Sequence, residues 1–267
     1  MAPLSGSGAR SAGAHRAVWW AGFLGVALTL GLAPAHHASE AQGMSGSGGV
    51  VALLDVAAAA AGQSAFGSGF FIGSDGTVLT NAHVVLGFLR DPGRYRLIAL
   101  WNGEWFSASV TCASALPAYQ TLDDTQPVHP RRDIAEVRLG PAPAGQVVQV
   151  QGRQWRPHTG PLPAFPALAF AGRDPVAGQQ VETLGYTFSV GPPTLMTQPG
   201  RVLSLFKASD GTPIVALRYA TPAQQGESGA PILDTSGYVV GMQTWKSASK
   251  PHDGAGIAQS ALKTPCQ

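Results

Sequence analysis

The sequence has little charge, few cysteines and no sign of a cofactor site. Charged residues make up 12% of the 267-residue chain, and the formal net charge is +2. This balance gives no electrostatic reason to expect nucleic acid as a partner. Neither Cys112 nor Cys266 has a nearby histidine that would complete a metal-ligand cluster. No glycine-rich loop ends in Gly-Lys-Ser or Gly-Lys-Thr, so no phosphate loop is predicted. We therefore expect neither a metal nor any other cofactor.

Residues 1–41 are typical of a targeting segment. A positively charged start precedes the uncharged apolar run from Ala17 to Pro34, and cleavage could follow Ala35 or Ala41. At ~17 to 18 residues, the run is also at the lower limit for a membrane span. We predict a secreted or periplasmic protein, with an uncleaved membrane anchor as the alternative. In an oxidising compartment, the two cysteines could pair as a disulfide.

From Gly49 onward, the dominant pattern is that of short strands separated by turns. In the segment from Phe106 to Cys112, apolar residues alternate with serine and threonine, which is the period of two of a half-buried strand. Two apolar runs between Gly67 and Thr80 flank Ser74-Asp75-Gly76, and this arrangement predicts a hairpin. Helical periodicity is confined to a short turn after His83 and another near the C-terminus. The pattern therefore predicts an all-β chain, a barrel or a sandwich.

One serine lies in a glycine turn that ends on proline, in the segment QQGESGAP from Gln224 to Pro231. A serine in such a turn is by itself as easily a turn former as a nucleophile. As a nucleophile, Ser228 would need a base, usually histidine, and a carboxylate that orients this base and stabilises its charged form.

Of the seven histidines, His83 is the candidate base. It follows an apolar strand and two small residues in the segment TVLTNAHVV. Three histidines fall in or beside the targeting segment, and three lie in polar or proline-rich loops: His129, His158 and His252. A lone histidine at the end of a strand is more often structural than catalytic, so His83 gains weight only together with Ser228.

Asp133 is the candidate acid. It opens the segment DIAEVRL, where its side chain shares a face with three apolar residues. Burying an aspartate is costly unless hydrogen bonds satisfy its charge, and a catalytic histidine would supply one. The alternative is a surface ion pair with Arg131 or Arg132. The acids in glycine turns are better explained as turn formers: Asp75, Asp210 and Asp234.

Together, the three motifs resemble the chymotrypsin-like serine proteases, and more closely the bacterial trypsin-like peptidases of the HtrA (DegP) type. The resemblance rests on GSGFFIGSDGTVLTNAHVV around His83, DIAEVRL around Asp133 and GESGAPILDTSGYVVGMQTWK around Ser228. It spans residues 66–258, and the order His, Asp, Ser is also that of the family.

The resemblance implies a serine endopeptidase that needs no cofactor. Ser228 would attack the scissile carbonyl, His83 would carry the proton, and Asp133 would orient His83. The backbone amides of Gly226 and Ser228 would form the oxyanion hole. The implied fold is two antiparallel β-barrels of the chymotrypsin type with the active site in the cleft between them. The first barrel would supply His83 and Asp133, and the second Ser228.

The same resemblance divides the chain into three parts. Residues 1–41 are the signal peptide or anchor, residues 42–65 a linker and first strand, and residues 66–262 the trypsin-like protease domain. Barrel one would extend to about residue 145 and barrel two would begin at about residue 165. The boundary between them is rich in proline, glycine and glutamine. Since the chain ends at Gln267, we expect no PDZ domain such as HtrA proteins carry.

By register with the family, two segments would bind substrate. The candidate residues before the nucleophile are Thr221, Ala223 and Gln225, and those after it are Gln243, Thr244 and Trp245. No acid lies among them, which argues against a preference for lysine or arginine. Lys246 could attract an acidic side chain, but a lysine at a pocket rim is more often simply solvated. We expect a small or medium uncharged residue before the cut.

The sequence departs from the family at two positions in this motif. Glu227 precedes Ser228 where animal digestive proteases carry an aspartate, whose partner there is a new N-terminus freed by cleavage. Ala230 stands where many members carry glycine, a small change that we expect to be tolerated.

Two other functions are weighed against the endopeptidase. One is a protease-like binding protein that kept the fold and lost activity. The other is a serine esterase of the α/β-hydrolase type, which needs Gly-x-Ser-x-Gly, whereas residue 230 is alanine and only 39 residues follow Ser228. The expected partner is a protein or peptide substrate, with a membrane as a second partner only if the N-terminal segment stays uncleaved.

Overall fold

A computed structural model of the protein describes residues 47–56, 66–115, 132–189, 191–247 and 249–264. The predicted targeting segment and Cys266 lie outside these ranges. Cys112 takes part in a disulfide bond. Within the described ranges, none of the helices has the length and apolar character needed to span a membrane.

The first barrel is closed by six antiparallel strands. They are β1 (Val50–Asp55), β2 (Phe66–Phe71), β3 (Thr77–Thr80), β4 (Leu97–Trp101), β5 (Glu104–Ala113) and β6 (Ala135–Gly140). Their order is β4-β1-β2-β3-β6-β5, and pairing between β4 and β5 closes the barrel. Large apolar side chains fill its interior, among them Leu53, Phe71 and Phe106. Burial of this apolar surface drives the strands together.

The second barrel also has six antiparallel strands. They are β9 (Gln180–Thr187), β10 (Thr194–Lys207), β11 (Pro213–Tyr219), β12 (Pro231–Asp234), β13 (Val239–Lys246) and β14 (Asp253–Ala258). They close in the order β10-β11-β14-β13-β12-β9. The predicted fold class, two antiparallel barrels of the chymotrypsin type, is confirmed.

The segment between the barrels contains a hairpin that was not predicted. Strands β7 (Val148–Val150) and β8 (Arg153–Pro157) pair with each other, and β8 adds to β5 in parallel. Residues Gln151 and Gly152 form its turn, both with positive φ. Sequence reasoning did not predict these two short strands because the segment is rich in proline and glycine, which are uncommon in strands.

In the part of the chain that the structure describes, helices are few and short, in agreement with the sequence analysis. The 3-10 helix Ala82–Val85 and helix α1 (Leu86–Arg90) follow β3, and α2 (Gln259–Leu262) lies near the C-terminus. The predicted hairpin is present, since β2 and β3 pair in antiparallel fashion. In the turn between them, Asp75 accepts hydrogen bonds from the amide and the hydroxyl of Thr77. This hairpin places β3, and therefore the 3-10 helix that follows it.

Candidate active site

His83 and Asp133 form a tight pair at the end of β3. Nδ1 of His83 lies 2.5 Å from Oδ2 of Asp133, and the backbone N–H of His83 donates to Oδ1 of the same carboxylate at 3.0 Å. These two contacts fix the orientation of the imidazole ring. The Asp133 side chain is 7% exposed and the His83 side chain 25%. Among the residues that the structure describes, Nε2 of His83 has no hydrogen-bond partner.

The alternative explanation of Asp133, a surface ion pair, is not what the structure shows. The guanidinium of Arg132 donates to the backbone carbonyl of Thr264 instead, and Arg131 lies outside the described residues. The other acids behave as predicted for turn formers. Each accepts the backbone amide two residues further on: Asp75, Asp210 and Asp234.

Asn81 ties this pair to the second barrel. Its buried side chain donates from Nδ2 to the carbonyl of Asp133 at 2.7 Å and to Oγ1 of Thr244, on β13, at 3.1 Å. The small residue that sequence reasoning noted only as a neighbour of His83 thus holds the backbone of the acid in place.

The turn around Ser228 requires glycine on both sides. Gly226 has a φ of +105° and Gly229 a φ of +85°, values that residues with side chains rarely adopt. A methyl group on Gly226 would lie 2.6 Å from the carbonyl oxygen of Tyr186, and one on Gly229 would lie 2.1 Å from that of Ser68. Neither position can therefore accept a side chain without a rearrangement of the turn.

The backbone amides of this turn fall into two groups. The amides of Gly229 and Ala230 donate to the carbonyls of Gln243 and Glu227, at 2.8 and 2.9 Å. The amides of Gln225, Gly226, Glu227 and Ser228 donate to no other described residue. The two predicted oxyanion donors, Gly226 and Ser228, are among these four. An oxyanion hole needs backbone amides that are not already hydrogen-bonded, and the amides of Gly226 and Ser228 meet this condition among the described residues.

The directions of the Gly226 and Ser228 amides follow from the carbonyls of the residues before them. The carbonyl of Gln225 accepts from the amide of Phe188 at 3.2 Å, and that of Glu227 is held by the bond described above. In a trans peptide the N–H points opposite to the C=O. The bond from Phe188 to the Gln225 carbonyl therefore orients the amide of Gly226, and the bond from Ala230 to the Glu227 carbonyl orients the amide of Ser228. Each amide points away from the bonded carbonyl of its own peptide.

Ser68 on β2, which sequence reasoning did not single out, joins the first barrel to this turn. Its amide donates to the carbonyl of Ser228 at 2.7 Å. Its hydroxyl donates to the carbonyl of Gly226 and accepts the amide of Tyr186, both at 2.8 Å. Its carbonyl accepts the hydroxyl of Thr80 at 2.7 Å. A serine between two glycines inside an apolar strand was the signal that could have found it.

Gly67 brings the Ser228 turn close to the helix that carries His83. A methyl group on Gly67 would lie 2.5 Å from Cγ2 of Val84 and 2.9 Å from the carbonyl oxygen of Ser228. Since Val84 directly follows His83, the turn and the 3-10 helix meet across this glycine. The residues that stand apart in three motifs are therefore neighbours in the fold.

Opposing effects act on the pKa of His83. Burial lowers the pKa, whereas the negative charge of Asp133 and its hydrogen bond raise it, and the net result lies above the usual value of about 6.5. A raised pKa makes the imidazole a stronger base once it is neutral.

The other histidines have different surroundings. Nδ1 of His158 lies 2.9 Å from Oε2 of Glu104, and its Nε2 bonds to the carbonyl of Pro161 at 3.0 Å. His252 contacts the carbonyl of Tyr219, and His129 lies outside the described residues. Within the described ranges, no three histidine, cysteine or acidic side chains are grouped so that they could hold a metal ion.

The six candidate substrate-binding residues differ in exposure. Thr221 and Gln225 are exposed, Ala223 and Trp245 are partly buried, and Gln243 and Thr244 are buried. Gln243 uses its side-chain amide internally, since Nε2 donates to the carbonyl of Trp245 at 2.8 Å and Oε1 accepts the hydroxyl of Tyr219. Its polar groups are thus already bonded within the protein.

Gln198 on β10, also missed by sequence reasoning, holds the start of the first of these segments. Its Nε2 donates to the carbonyls of Thr221 and Pro222 at 2.8 and 3.0 Å. The side chain is buried. The backbone at the beginning of the segment is therefore fixed from a neighbouring strand.

The two departures from the family pattern each have a local explanation. Oε2 of Glu227 accepts the amide of Gln224 at 2.9 Å, so this buried acid has a partner within its own turn. Burial raises the pKa of Glu227 to about 7, although the Gln224 bond and the charge of Lys246 act in the opposite direction. Ala230 packs against Gly185, where an added methyl group would lie only 2.8 Å from the Ala230 Cβ.

The sequence matches the family model of the trypsin-like peptidase domain over residues 67–242. The match covers well over half of the chain, and the chain belongs to this family. The family predicted from the three motifs is confirmed. No curated protein sequence matches the chain.

Several solved structures share the fold. The active form of the Rv3671c protease from M. tuberculosis has a TM-score of 0.56 and 22% identity, with 82% of this chain and 80% of that chain covered. The serine endoprotease from Yersinia pestis has a TM-score of 0.55 and 16% identity, covering 82% of this chain and 61% of that chain. Deg5 has a TM-score of 0.52 and 18% identity, covering 81% and 86%. At these identities the likeness shows the fold, and with the family it supports a protease of the trypsin-like class.

Proposed function

We propose that the chain is a serine endopeptidase in which Ser228, His83 and Asp133 form a catalytic triad. The observation that carries the proposal is the state of His83: its Nδ1 contacts Asp133, while its Nε2 bonds to no described residue. The 3-10 helix that carries His83 meets the Ser228 turn across Gly67. The amides of Gly226 and Ser228, which bond to no other described residue, could together stabilise the oxyanion that the mechanism requires.

Acylation uses each of these groups once. Oγ of Ser228 attacks the carbonyl carbon of the peptide bond as its proton passes to Nε2 of His83. The carbonyl oxygen becomes an oxyanion and accepts hydrogen bonds from the amides of Gly226 and Ser228. The negative charge of Asp133 stabilises the imidazolium. His83 then donates its proton to the leaving amine nitrogen as the C–N bond breaks, which leaves an ester on Ser228.

Deacylation repeats the sequence with water as the nucleophile. Water loses a proton to His83 and attacks the ester carbonyl, and the same two amides stabilise the oxyanion. Collapse of this intermediate breaks the ester bond and returns the proton to Oγ of Ser228. Each oxyanion donor contributes about 2.7–4 kcal/mol of transition-state stabilisation in enzymes where one has been removed.

A fluorophosphonate probe tests the nucleophile. We expect the wild-type full-length chain to be labelled and the Ser228→Ala and His83→Ala variants not to be. Ser236→Ala is the matched control, because Ser236 is an exposed serine that precedes a glycine of positive φ in another turn of the same barrel. It should label as the wild type does.

Two outcomes would contradict the mechanism: an unlabelled wild type, or equal labelling of the Ser228→Ala variant. An unlabelled chain that still binds peptides would be the inactive binding protein. A labelled chain that hydrolyses ester substrates but leaves peptides intact would be the esterase.

We further propose that the residue before the cut is small or medium and uncharged. The polar groups of Gln243 are bonded internally, and Glu227 is buried against its own turn rather than exposed. Cleavage of a peptide library should then favour residues such as alanine or valine. Dominant cleavage after lysine, arginine or glutamate would reverse this assignment.

Export rests on residues 1–41 alone. We propose a secreted or periplasmic protein, and N-terminal sequencing of the protein recovered from each cell fraction tests it. A mature N-terminus at His36 or Gln42, the residues that follow the two candidate cleavage sites, supports cleavage. An intact N-terminus in the membrane fraction supports the anchor.

A further inference from the structure

Ser68 has every polar group engaged, and three of its four contacts reach the second barrel. The amide and hydroxyl bond to Ser228, Gly226 and Tyr186, while the carbonyl accepts the hydroxyl of Thr80. The side chain has no exposed surface. The proposed mechanism uses none of these contacts directly.

The hydroxyl differs from the backbone groups because only it depends on the residue type. Any residue except proline would offer its amide to Ser228. Only a hydroxyl can both donate to the carbonyl of Gly226 and accept the amide of Tyr186 in one buried place. Removal of the hydroxyl leaves two backbone groups without these partners, which is unfavourable in a buried site.

Space around Ser68 is shaped for a small side chain. Its neighbours on the strand are glycines, and a methyl group on Gly69 would lie 2.6 Å from Cγ1 of Val78. Gly185, on β9, faces the hydroxyl, and a methyl group there would lie 3.2 Å from Oγ of Ser68. The close approach of β2 to β9 and to the turn is what allows one hydroxyl to reach both.

Gly226 is the residue that most needs such a restraint. Without a side chain, glycine rotates about φ and ψ more freely than other residues. The peptide before Gly226 is held by Phe188 through the carbonyl of Gln225, and the peptide after it is held by Ser68 through the Gly226 carbonyl. Both peptide planes that flank the glycine are thus fixed by hydrogen bonds at their carbonyls.

We propose that Ser68 is a positioning residue for catalysis, whose hydroxyl holds Gly226 so that its amide faces the oxyanion. This inference rests on the proposed function. It makes the oxyanion hole of the second barrel dependent on a side chain of the first barrel.

The test compares Ser68→Ala with wild-type full-length protein on a peptide substrate. We expect kcat to fall by about tenfold or more, since loss of an oxyanion donor outright costs roughly 10²–10³-fold, while KM stays within about threefold because the substrate-binding segments are untouched. Ser107→Ala is the matched control: Ser107 also lies on the first barrel and donates to a backbone carbonyl at 2.8 Å, that of Pro141, away from the turn. It should keep the wild-type kcat.

A second pair isolates the hydroxyl from side-chain size. Threonine and valine have nearly the same shape, so Ser68→Thr should retain at least about tenfold more kcat than Ser68→Val. A peptide aldehyde gives a further measure, because its adduct with Ser228 places an oxygen in the oxyanion hole. The Ser68→Ala variant should bind the aldehyde more weakly by a factor similar to the loss in kcat, and bind a product peptide as the wild type does.

Rates are expressed per active site, counted by fluorophosphonate labelling, and thermal unfolding shows that each variant is folded. A Ser68→Ala kcat within twofold of wild type, or equal kcat in the threonine and valine variants, would overturn the inference. An unlabelled wild type would instead contradict the proposed function, so the two failures are distinguishable.

Discussion

Two histidine–carboxylate pairs among the described residues involve the first barrel, and only one matches the proposed catalytic arrangement. His83 contacts Asp133 and His158 contacts Glu104, in each case through Nδ1. Nε2 of His158 is also occupied, by the carbonyl of Pro161, and its ring stacks on Phe106 at a centroid distance of 4.7 Å. Both ring nitrogens of His158 are therefore bonded, and the residue attaches the segment between the barrels to the first barrel.

The difference separates the proposed catalytic histidine from one whose two ring nitrogens are both bonded within the protein. Asp133 is almost fully buried and contacts both the ring and the backbone amide of His83, whereas Glu104 is 36% exposed and meets the ring alone. The decisive difference is that Nε2 of His83 bonds to no described residue, whereas Nε2 of His158 is bonded. His83 also lies on the 3-10 helix that meets the Ser228 turn across Gly67. A carboxylate orients an imidazole, and an unbonded nitrogen lets that imidazole react.

Replacement of each histidine should separate the two pairs by the largest margin. His83→Ala should lower kcat/KM by about 10⁴-fold or more, because the nucleophile loses its base. His158→Ala should leave kcat/KM within about threefold but lower the unfolding midpoint by roughly 3–6 °C, the effect of losing ~1–2 kcal/mol of hydrogen bonding in a domain of this size. Comparable losses of activity in the two variants would remove the distinction.

The pH dependence of activity should depend on one pair only. In the proposed mechanism, catalysis requires neutral His83, and Asp133 holds the pKa of His83 above its usual value of about 6.5. The acid limb of kcat/KM should therefore have its midpoint above pH 6.5, with activity rising as the pH rises through it. Glu104→Gln should leave this midpoint unchanged. A shift of the midpoint in that variant would show that the pairs are coupled.

The smallest effect should be a pH-dependent change in stability from the second pair. The hydrogen bond to Pro161 and the contact with Glu104 raise the pKa of His158, although burial opposes them. A raised histidine pKa stabilises the folded state fully below about pH 6.5 and no longer once the pH has risen through the folded value. Glu104→Gln should thus cost up to ~1 kcal/mol near pH 5.5 and nothing near pH 9, since the pair is partly exposed. Denaturant titrations that give the same difference at both pH values would contradict this.

Sequence reasoning identified the candidate residues whose flanking sequence is itself informative. Ser228 lies between glycines, His83 ends an apolar strand, and Asp133 places a charge on an apolar face. Each signal is contained within about ten residues, and their order along the chain added specificity. The two-barrel fold followed from the resemblance that these segments carry, and it is confirmed.

Sequence reasoning missed residues whose partners lie far away along the chain. Ser68 donates a hydrogen bond to the carbonyl of Gly226, 158 positions away. Gln198 donates one to the carbonyl of Thr221, 23 positions further along the chain. Gln243 was placed in the substrate-binding set by register, but its side chain bonds to Tyr219 and Trp245. Only the closing of the second barrel reveals that contact.

The distance along the chain between Ser68 and Gly226 also bears on how the protein is made. The strands of the first barrel, with the hairpin beside them, are complete at Pro157, long before the ribosome reaches Gly226. Contacts so far apart in sequence form late, because the entropy of closing a long loop must be overcome first. His83 and Asp133, the proposed base and acid, are therefore synthesised well before Ser228, the proposed nucleophile. The proposed activity can begin only once the second barrel has formed.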